Sequence, residues 1–277
     1  MERSKFGRRG SAPVDYRGQT TLITGASSGI GVEFAREFAR RGSDVVLVAR
    51  RLDRLDALAD ELAAAHGIRA TAIPLDLSLP GAGRTLAEEV DRRGLAVTSL
   101  VNNAAFGTFG PFHEEDPDRI GEEIGVNVRA VVDISRAFVG RLRAGGTGVL
   151  INVASMAAYG PIPNMAVYGA TKAFVLSFTE ALWQESLGTG LRVMALSPGA
   201  TRTEFNEVVD TEEATSSALI VQTPRQVVEA ALRALDRPKP PPSVIPGRLN
   251  RAMSNLGRVL SRRRTVLVAA SLTKTDG

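Results

Sequence analysis

A tyrosine and a lysine stand four residues apart, at Tyr168 and Lys172, in a segment with helical periodicity. Residues at i and i+4 share one face of a helix, so the phenol and the ammonium are expected to lie side by side. An ammonium beside a phenol favours the phenolate and lowers the pKa of the tyrosine. Such a tyrosine can donate or accept a proton near neutral pH, which suits general acid–base chemistry.

Two further polar residues complete a candidate catalytic group. Ser155 directly follows a predicted strand, and residues beyond the carboxyl ends of parallel strands line the ligand crevice of an open α/β sheet. Its hydroxyl can donate a hydrogen bond to a substrate oxygen that gains negative charge. Asn127 falls inside a predicted helix, where asparagine is a mediocre residue, so it serves either the site or a local hydrogen bond in the core.

A glycine-rich turn, Thr-Gly-Ala-Ser-Ser-Gly-Ile-Gly at residues 24–31, joins the first predicted strand to the first helix. Gly25 permits a tight turn, Gly29 lets the backbone approach a pyrophosphate, and Gly31 lets helix and strand pack closely. Free N–H groups and a partial positive charge at the helix N-terminus favour phosphate. The turn therefore predicts a dinucleotide site that includes Gly25, Ser27, Ser28, Gly29, Ile30 and Gly31.

Strand and helix patterns alternate along the chain. Predicted strands lie at 20–24, 44–49, 70–75, 97–102, 148–154, 192–197 and 243–245, and predicted helices at 29–41, 52–62, 117–143, 166–186 and 224–235. The strands are continuous apolar runs, which is typical of a parallel sheet covered on both faces. We therefore predict an α/β fold, a single Rossmann-like doubly wound domain with a mostly parallel seven-stranded sheet and helices on both faces.

These motifs resemble those of the short-chain dehydrogenase/reductase family, in its classical branch. Residues 24–31 resemble TGxxxGIG, residues 168–172 YxxxK, residues 198–203 PGxxxT, and residues 102–105 NNAG with Ala105 in place of the glycine. The resemblance covers about residues 18–245. It implies hydride transfer between a nicotinamide and a carbonyl or alcohol carbon. The catalytic residues it implies are Asn127, which would hold a water linking Lys172 to solvent, and Ser155, Tyr168 and Lys172.

The resemblance also implies cofactor contacts outside the glycine turn. Asp76 would contact the adenine, unless it is only a turn or cap residue. Pro198 and Gly199 would shape the nicotinamide pocket, and Thr203 would bind the carboxamide. The full set of implied contacts is Asp76, Leu77, Asn103, Ala104, Tyr168, Lys172, Pro198, Gly199, Thr201 and Thr203.

The end of the second predicted strand distinguishes the two nicotinamide cofactors. An acidic residue there binds the ribose 2′-hydroxyl of NAD, whereas an arginine accommodates the 2′-phosphate of NADP. The strand ends at Ala49, and Arg50 and Arg51 follow it. Because the planar arginine fork binds phosphate well, we predict NADP(H), held by Arg50 with help from Ser27. NAD(H) is the alternative cofactor.

Composition limits the class of protein. The 277 residues are 44% hydrophobic, which is enough for a large core, and no uncharged apolar run is long enough to predict a membrane-spanning helix. The absence of cysteine excludes disulfides and thiolate metal sites and agrees with a cytoplasmic protein. No metal site is predicted, since neither His66 nor His113 has a suitably spaced second ligand.

Basic charge is confined to the two ends. Residues 1–17 carry a net +3 and residues 237–264 a net +8, against +4 for the whole chain, so the body is acidic. This distribution argues against a nucleic-acid partner. We predict a flexible basic segment at 1–17, a catalytic domain at 18–245, and a basic amphipathic tail at 246–277. The tail would pack on another subunit, cover the substrate site, or lie on an anionic membrane surface.

The predicted substrate is a small carbonyl or alcohol compound in a largely apolar pocket. Candidate pocket residues, which could equally be packing residues, are Phe109, Pro111, Phe112, Ala157, Tyr159 and Pro161, and residues 204–219 are a candidate lid. The resemblance implies a homodimer or homotetramer formed through the helices near 118–143 and 166–187. The alternatives are a non-catalytic cofactor sensor or scaffold, and a membrane-associated lipid-modifying reductase.

Overall fold

The computed structural model describes residues 12–205, 221–259 and 261–272. The sheet contains seven strands within these ranges, and their bounds agree with the predicted ones to within two residues. The strands are β1 (Thr20–Thr24), β2 (Asp44–Ala49), β3 (Ala70–Pro74), β4 (Ser99–Asn102), β5 (Val149–Val153), β6 (Arg192–Leu196) and β7 (Ser243–Val244).

All six strand pairings are parallel, in the order β3-β2-β1-β4-β5-β6-β7. The predicted doubly wound α/β sheet is confirmed. The strand order reverses between β1 and β4, and a crevice opens outside the carboxyl ends of the strands at such a reversal. The topology therefore brings the glycine turn after β1 next to residues 103–109 after β4.

The helices cover both faces of this sheet. They are α1 (Gly29–Arg40), α2 (Leu52–His66), α3 (Ala82–Arg92), α4 (Pro117–Ile124), α5 (Val131–Gly145), α6 (Ala166–Glu185), α7 (Pro224–Leu235), α8 (Arg248–Val259) and α9 (Arg262–Leu272). The predicted helix at 117–143 is α4 and α5 joined by a π-helical turn, Gly125–Ala130. Helix α3 was not predicted, although its buried Leu86 and Val90 have helical spacing.

Two large apolar cores and one small cluster fill the space between sheet and helices. On β2, Val45 and Leu47 face one core, and Val46 and Val48 face the other. The first core is covered by α1, α2 and α7 and the second by α3 and α5. This alternation explains the continuous apolar strands, because a strand buried on both faces has no solvent side for polar residues.

The N-terminal boundary lies earlier than residue 18. Tyr16 is buried and packs edge-on against Phe38 of α1, with ring centroids 5.1 Å apart. The predicted flexible segment 1–17 is therefore wrong at its end, because an aromatic ring there completes the core. Residues 1–11 lie outside the described ranges.

Part of the predicted tail packs on the body, since Asn250 and Ser254 of α8 are buried. The side-chain amide of Asn250 donates hydrogen bonds to Gln222 Oε1 at 3.1 Å and to the Pro246 carbonyl at 3.0 Å. Across the described ranges, every helix is too short or too polar to cross a membrane.

Candidate active site

A cleft of about 660 Å³ lies at the carboxyl edge of the sheet. Its size is in the range of small-molecule and cofactor sites. Most of the predicted site residues line it, namely Gly25, Ser27, Ser28, Gly29, Ile30, Arg50, Asp76, Leu77, Asn103, Ala104, Ser155, Tyr168, Lys172, Pro198, Gly199, Thr201 and Thr203. Gly31 and Asn127 are buried behind this lining.

The glycine turn leaves the start of α1 open to the cleft. Ser28 precedes the helix, and among the described residues no side chain caps it and no acidic residue stands in its first turn. Gly29 has a φ of +56°, and a Cβ there would lie 2.9 Å from Cγ2 of Thr203. The uncapped N–H groups and the close approach of the Thr203 loop together form an anion-binding corner.

The end of β4 is tied to this turn by hydrogen bonds. The Asn103 side chain donates to the carbonyl oxygens of Thr24 at 3.0 Å and Gly25 at 3.2 Å. In return, the Thr24 hydroxyl accepts from the backbone N–H groups of Asn103 at 3.0 Å and Ala104 at 3.1 Å. These four bonds fix the backbone next to Ala105, which replaces the expected glycine.

The two arginines after β2 differ in their contacts. Arg50 is exposed at the rim of the cleft. Arg51 donates to Ser27 Oγ at 3.0 Å through Nη2 and to Glu204 at 3.0 Å, and Arg54 donates to the same carboxylate at 2.6 Å. Arg50 was the predicted phosphate ligand, whereas the hydrogen bond with Ser27 belongs to Arg51. Glu204 shows that an anionic group fits between these cations.

Asp76 combines the two roles considered for it. Its Oδ1 accepts hydrogen bonds from the Ser78 backbone N–H at 2.9 Å and hydroxyl at 2.8 Å, which makes a local turn. The residue also lines the cleft beside Leu77. The turn therefore holds the carboxylate at the edge of the cleft.

Ser155 and Tyr168 both line the opposite end of the cleft, where their side chains interact. Ser155 leaves β5 and caps a short 3₁₀ helix, Met156–Tyr159, by accepting from the Ala157 N–H at 3.1 Å. Lys172 lies one turn after Tyr168 on α6, with its Nζ 5.7 Å from the centre of the phenol ring. The predicted i, i+4 pairing is thus present.

The electrostatics differ from the expectation. Burial raises the pKa of Tyr168 to about 12, the hydrogen bond with Ser155 opposes this rise, and the charge of Glu123 adds to it. Burial also lowers the pKa of Lys172 to about 8, and its ammonium donates to the Val153 carbonyl at 2.9 Å. The prediction of a tyrosine pKa lowered by Lys172 is therefore wrong here, because loss of solvent dominates the shift and Lys172 is not among the groups that cause it.

Asn127 lies in the π-helical turn, fully buried. Its side-chain amide donates to the Phe106 carbonyl at 2.8 Å and to Thr171 Oγ1 at 3.1 Å, while its oxygen accepts from the Phe106 N–H at 3.2 Å. Thr171 in turn donates to the Tyr168 carbonyl at 2.8 Å. Asn127 thus links residues 103–109 to the helix that carries Tyr168 and Lys172. π-Helical turns are frequent at functional sites.

The wall near Tyr168 is largely apolar. It is formed by Phe106, Phe109, Ala157, Ile162, Met165, Phe205, Leu249 and Met253. Phe109 and Ala157 were predicted, whereas Pro111, Phe112, Tyr159 and Pro161 are outside the lining, and Phe112 is 63% exposed. Arg119 and Glu122 also border this wall, paired at 3.2 Å.

Of the three placements considered for the tail, α8 adopts a position against the cleft. Leu249, Asn250 and Met253 all border the cleft. The apolar spacing of Leu249 and Met253 was visible in the sequence, but the surface against which this helix packs was not. Most of the candidate lid at 204–219 lies outside the described residues.

Comparison with known proteins identifies the family of this chain. A family model described as short chain dehydrogenase matches residues 19–214. Sulfoacetaldehyde reductase 2 of Chromohalobacter salexigens is 36% identical over 76% of this chain and 84% of its own length. The 7beta-hydroxysteroid dehydrogenase of Collinsella aerofaciens is 30% identical over 84% of this chain and 88% of its own. A short-chain dehydrogenase from Sphingobium yanoikuyae, solved in complex with NADPH, superimposes with a TM-score of 0.76 at 34% identity, covering 88% of this chain and 97% of that one.

Proposed function

The chain belongs to the short-chain dehydrogenase family, and from that premise we propose that it is an NADPH-dependent reductase of apolar ketones or aldehydes. One observation carries the proposal. Ser155, Tyr168 and Lys172 meet at an apolar end of the same cleft that presents Arg50 and Arg51 at its other end. A catalytic group and a phosphate-binding corner on one continuous surface suit a hydride-transfer enzyme better than a sensor or scaffold.

The residues of the cleft fit NADP(H). The uncapped start of α1 would hold the pyrophosphate, and Arg51 and Ser27 the 2′-phosphate, with Arg50 at the rim. Ala49 supplies no carboxylate for the ribose hydroxyls of NAD. When bound, NADPH supplies the hydride that reduces the carbonyl carbon.

The catalytic side chains would handle the substrate oxygen and its proton. Ser155 would donate a hydrogen bond to that oxygen as negative charge develops on it. Tyr168 would donate the proton, since a phenol with a pKa of about 12 is protonated at neutral pH. Lys172 would stabilise the phenolate that remains until a proton from solvent restores the phenol. Asn127 would fix the helix and loop on either side of this group.

The apolar wall favours a substrate with a bulky apolar body next to its carbonyl. Phe109, Met165 and Met253 offer contact area but no charge. Arg119 is already paired with Glu122 and lies over the Phe106 ring at 4.0 Å, so its charge is largely engaged. An anionic aldehyde should therefore bind this site more weakly than an uncharged ketone.

A binding titration followed by turnover tests the proposal. Purified protein should bind NADPH more tightly than NADH in a fluorescence titration, and it should then consume NADPH with benzil or para-nitrobenzaldehyde. Sulfoacetaldehyde is the matched anionic probe and should react more slowly. Cofactor binding without turnover of any probe would favour the sensor or scaffold, and binding of neither cofactor would overturn the proposal.

We also propose that the protein forms a homodimer or homotetramer through α4, the π-helical turn and α6. An exposed apolar groove runs along these elements, and Ile124 and Phe174 within it are 44% and 41% exposed. Phe174→Glu would place a charge in the buried interface, so it should reduce the mass in light scattering to that of the monomer. Phe112→Glu, at an exposed site outside the groove, should keep the wild-type mass. An unchanged mass in Phe174→Glu would contradict this interface.

A further inference from the structure

Glu123, near the end of α4, is a buried carboxylate that the proposed reaction does not use. Its side chain has no exposed surface. Oε2 accepts hydrogen bonds from the Thr108 backbone N–H at 3.1 Å and hydroxyl at 3.0 Å, while Oε1 has no hydrogen-bond partner among the described residues. A buried carboxylate with an unpartnered oxygen is costly, so its presence calls for a reason.

The two bonds to Thr108 anchor the loop at residues 103–109. Asn127, four residues after Glu123, holds the same loop at Phe106. Between these two anchors, Gly107 lies so close to Tyr168 that a Cβ there would be 3.0 Å from the ring atom Cδ2. Glu123 and Asn127 therefore both hold the loop at residues 103–109 against the ring of Tyr168, the proposed proton donor.

The charge of Glu123 also reaches the catalytic group. It raises the pKa of both Tyr168 and Lys172. Burial raises the pKa of Glu123 itself, the bonds from Thr108 oppose this, Glu115 on the preceding loop adds to it, and Lys172 lowers it. The titratable groups that interact with Glu123 are thus Glu115, Tyr168 and Lys172.

We propose that Glu123 is a positioning residue for the reduction, acting on Tyr168 and Lys172 through the loop it anchors and through its negative charge. This inference rests on the proposed function, because it assigns the residue a role in that reaction. The carboxylate keeps Lys172 cationic and Tyr168 protonated over a wider pH range than burial alone would allow.

Two variants separate the anchor from the charge. Glu123→Gln keeps an acceptor for Thr108 but removes the charge, and Glu123→Leu removes both. With benzil as the probe, wild-type reduction should fall as pH rises through about 8, the pKa of Lys172. In Glu123→Gln this fall in rate, the alkaline limb of the pH profile, should occur at a pH lower by roughly 0.5–1.5 units. The reason is that the charge that raised the pKa of Tyr168 and Lys172 has been removed. Glu123→Leu should show the same shift and a plateau kcat lower by a further factor of about 5–10.

A stability measurement provides a readout that does not depend on turnover. The folded-state pKa of Glu123 lies above its unfolded value, so its contribution to stability is present at low pH and lost as pH rises through the folded pKa. The melting temperature of Glu123→Gln should therefore exceed that of the wild type at neutral pH, and the gap should close on acidification. If Glu123 only held the fold together, its replacement would lower the melting temperature of the protein.

Asp118→Asn is the matched control, because it removes an exposed acidic charge from the same helix and should leave the alkaline limb in place. A wild-type pH profile in Glu123→Gln would overturn the role of the charge. Equal plateau rates in Glu123→Leu and Glu123→Gln would overturn the role of the anchor. Absence of turnover in the wild type would instead count against the proposed function.

Discussion

The Tyr168→Phe variant is expected to bind NADPH as the wild type does and to reduce benzil at least about a hundredfold more slowly, the usual contribution of a positioned acid. The change removes only the phenol oxygen. The ring keeps its contacts with Gly107 and with Phe205, whose centroid is 5.3 Å away, so the shape of the cleft is preserved. Single-turnover rates and the NADPH dissociation constant, measured on the same samples, test this.

Tyr159→Phe is the matched control for this variant. Tyr159 lies on the 3₁₀ helix next to Ser155, and its hydroxyl donates to Ser197 Oγ at 3.4 Å without lining the cleft. Its replacement should leave the rate within a factor of about three, because a long neutral hydrogen bond contributes little. If Tyr168→Phe kept a tenth or more of the wild-type rate, the proton would have to come from another group.

Arg51→Ala should weaken NADPH binding by about 10- to 100-fold and leave NADH binding nearly unchanged. A charge-assisted hydrogen bond contributes about 1.5–3 kcal/mol, and NADH has no 2′-phosphate to receive it. The variant would also remove one of the two arginine partners of Glu204 and leave only Arg54 beside it. A less fully neutralised carboxylate near the phosphate would add to the loss. Fluorescence titrations with both cofactors measure the ratio.

Arg50→Ala tests the original assignment beside it. Arg50 is exposed, and the described hydrogen bonds to Ser27 come from Arg51, so replacing Arg50 should reduce NADPH affinity less than replacing Arg51. Arg69→Ala, at the far edge of the sheet and paired with Asp44, removes the same charge and should change neither cofactor's affinity. Equal losses of affinity for NADPH and NADH in Arg51→Ala would mean that the guanidinium binds a part of the cofactor that NADPH and NADH share.

The sequence predicted most of the fold because its apolar pattern is directly tied to burial. Strands such as β2, buried on both faces, and helices such as α1, with one apolar face, are visible in the order of residues alone. α3 was missed because its buried positions are separated by charged residues, which weakens the periodic signal. The candidate site residues were found through motifs whose order along the chain is fixed.

What could not be predicted depends on contacts between distant segments. The pKa of Tyr168 is set by burial, by Ser155 and by Glu123, and none of these can be inferred from Lys172 four residues away. The choice between Arg50 and Arg51 depends on which side chain points toward Ser27. The position of α8 required knowing that Asn250 meets Gln222, two residues that are 28 apart in sequence.

The order of the elements along the chain determines the order in which they leave the ribosome. β1 to β4 and the glycine turn leave the ribosome before residues 155 and 172 have been synthesised, and the cleft is closed by α8 near the chain's end. Domains made of parallel strands need such long-range pairings and fold slowly. The growing chain therefore contains the glycine turn before it contains Tyr168 and Lys172, and the anion-binding corner forms only once Thr203 has joined that turn.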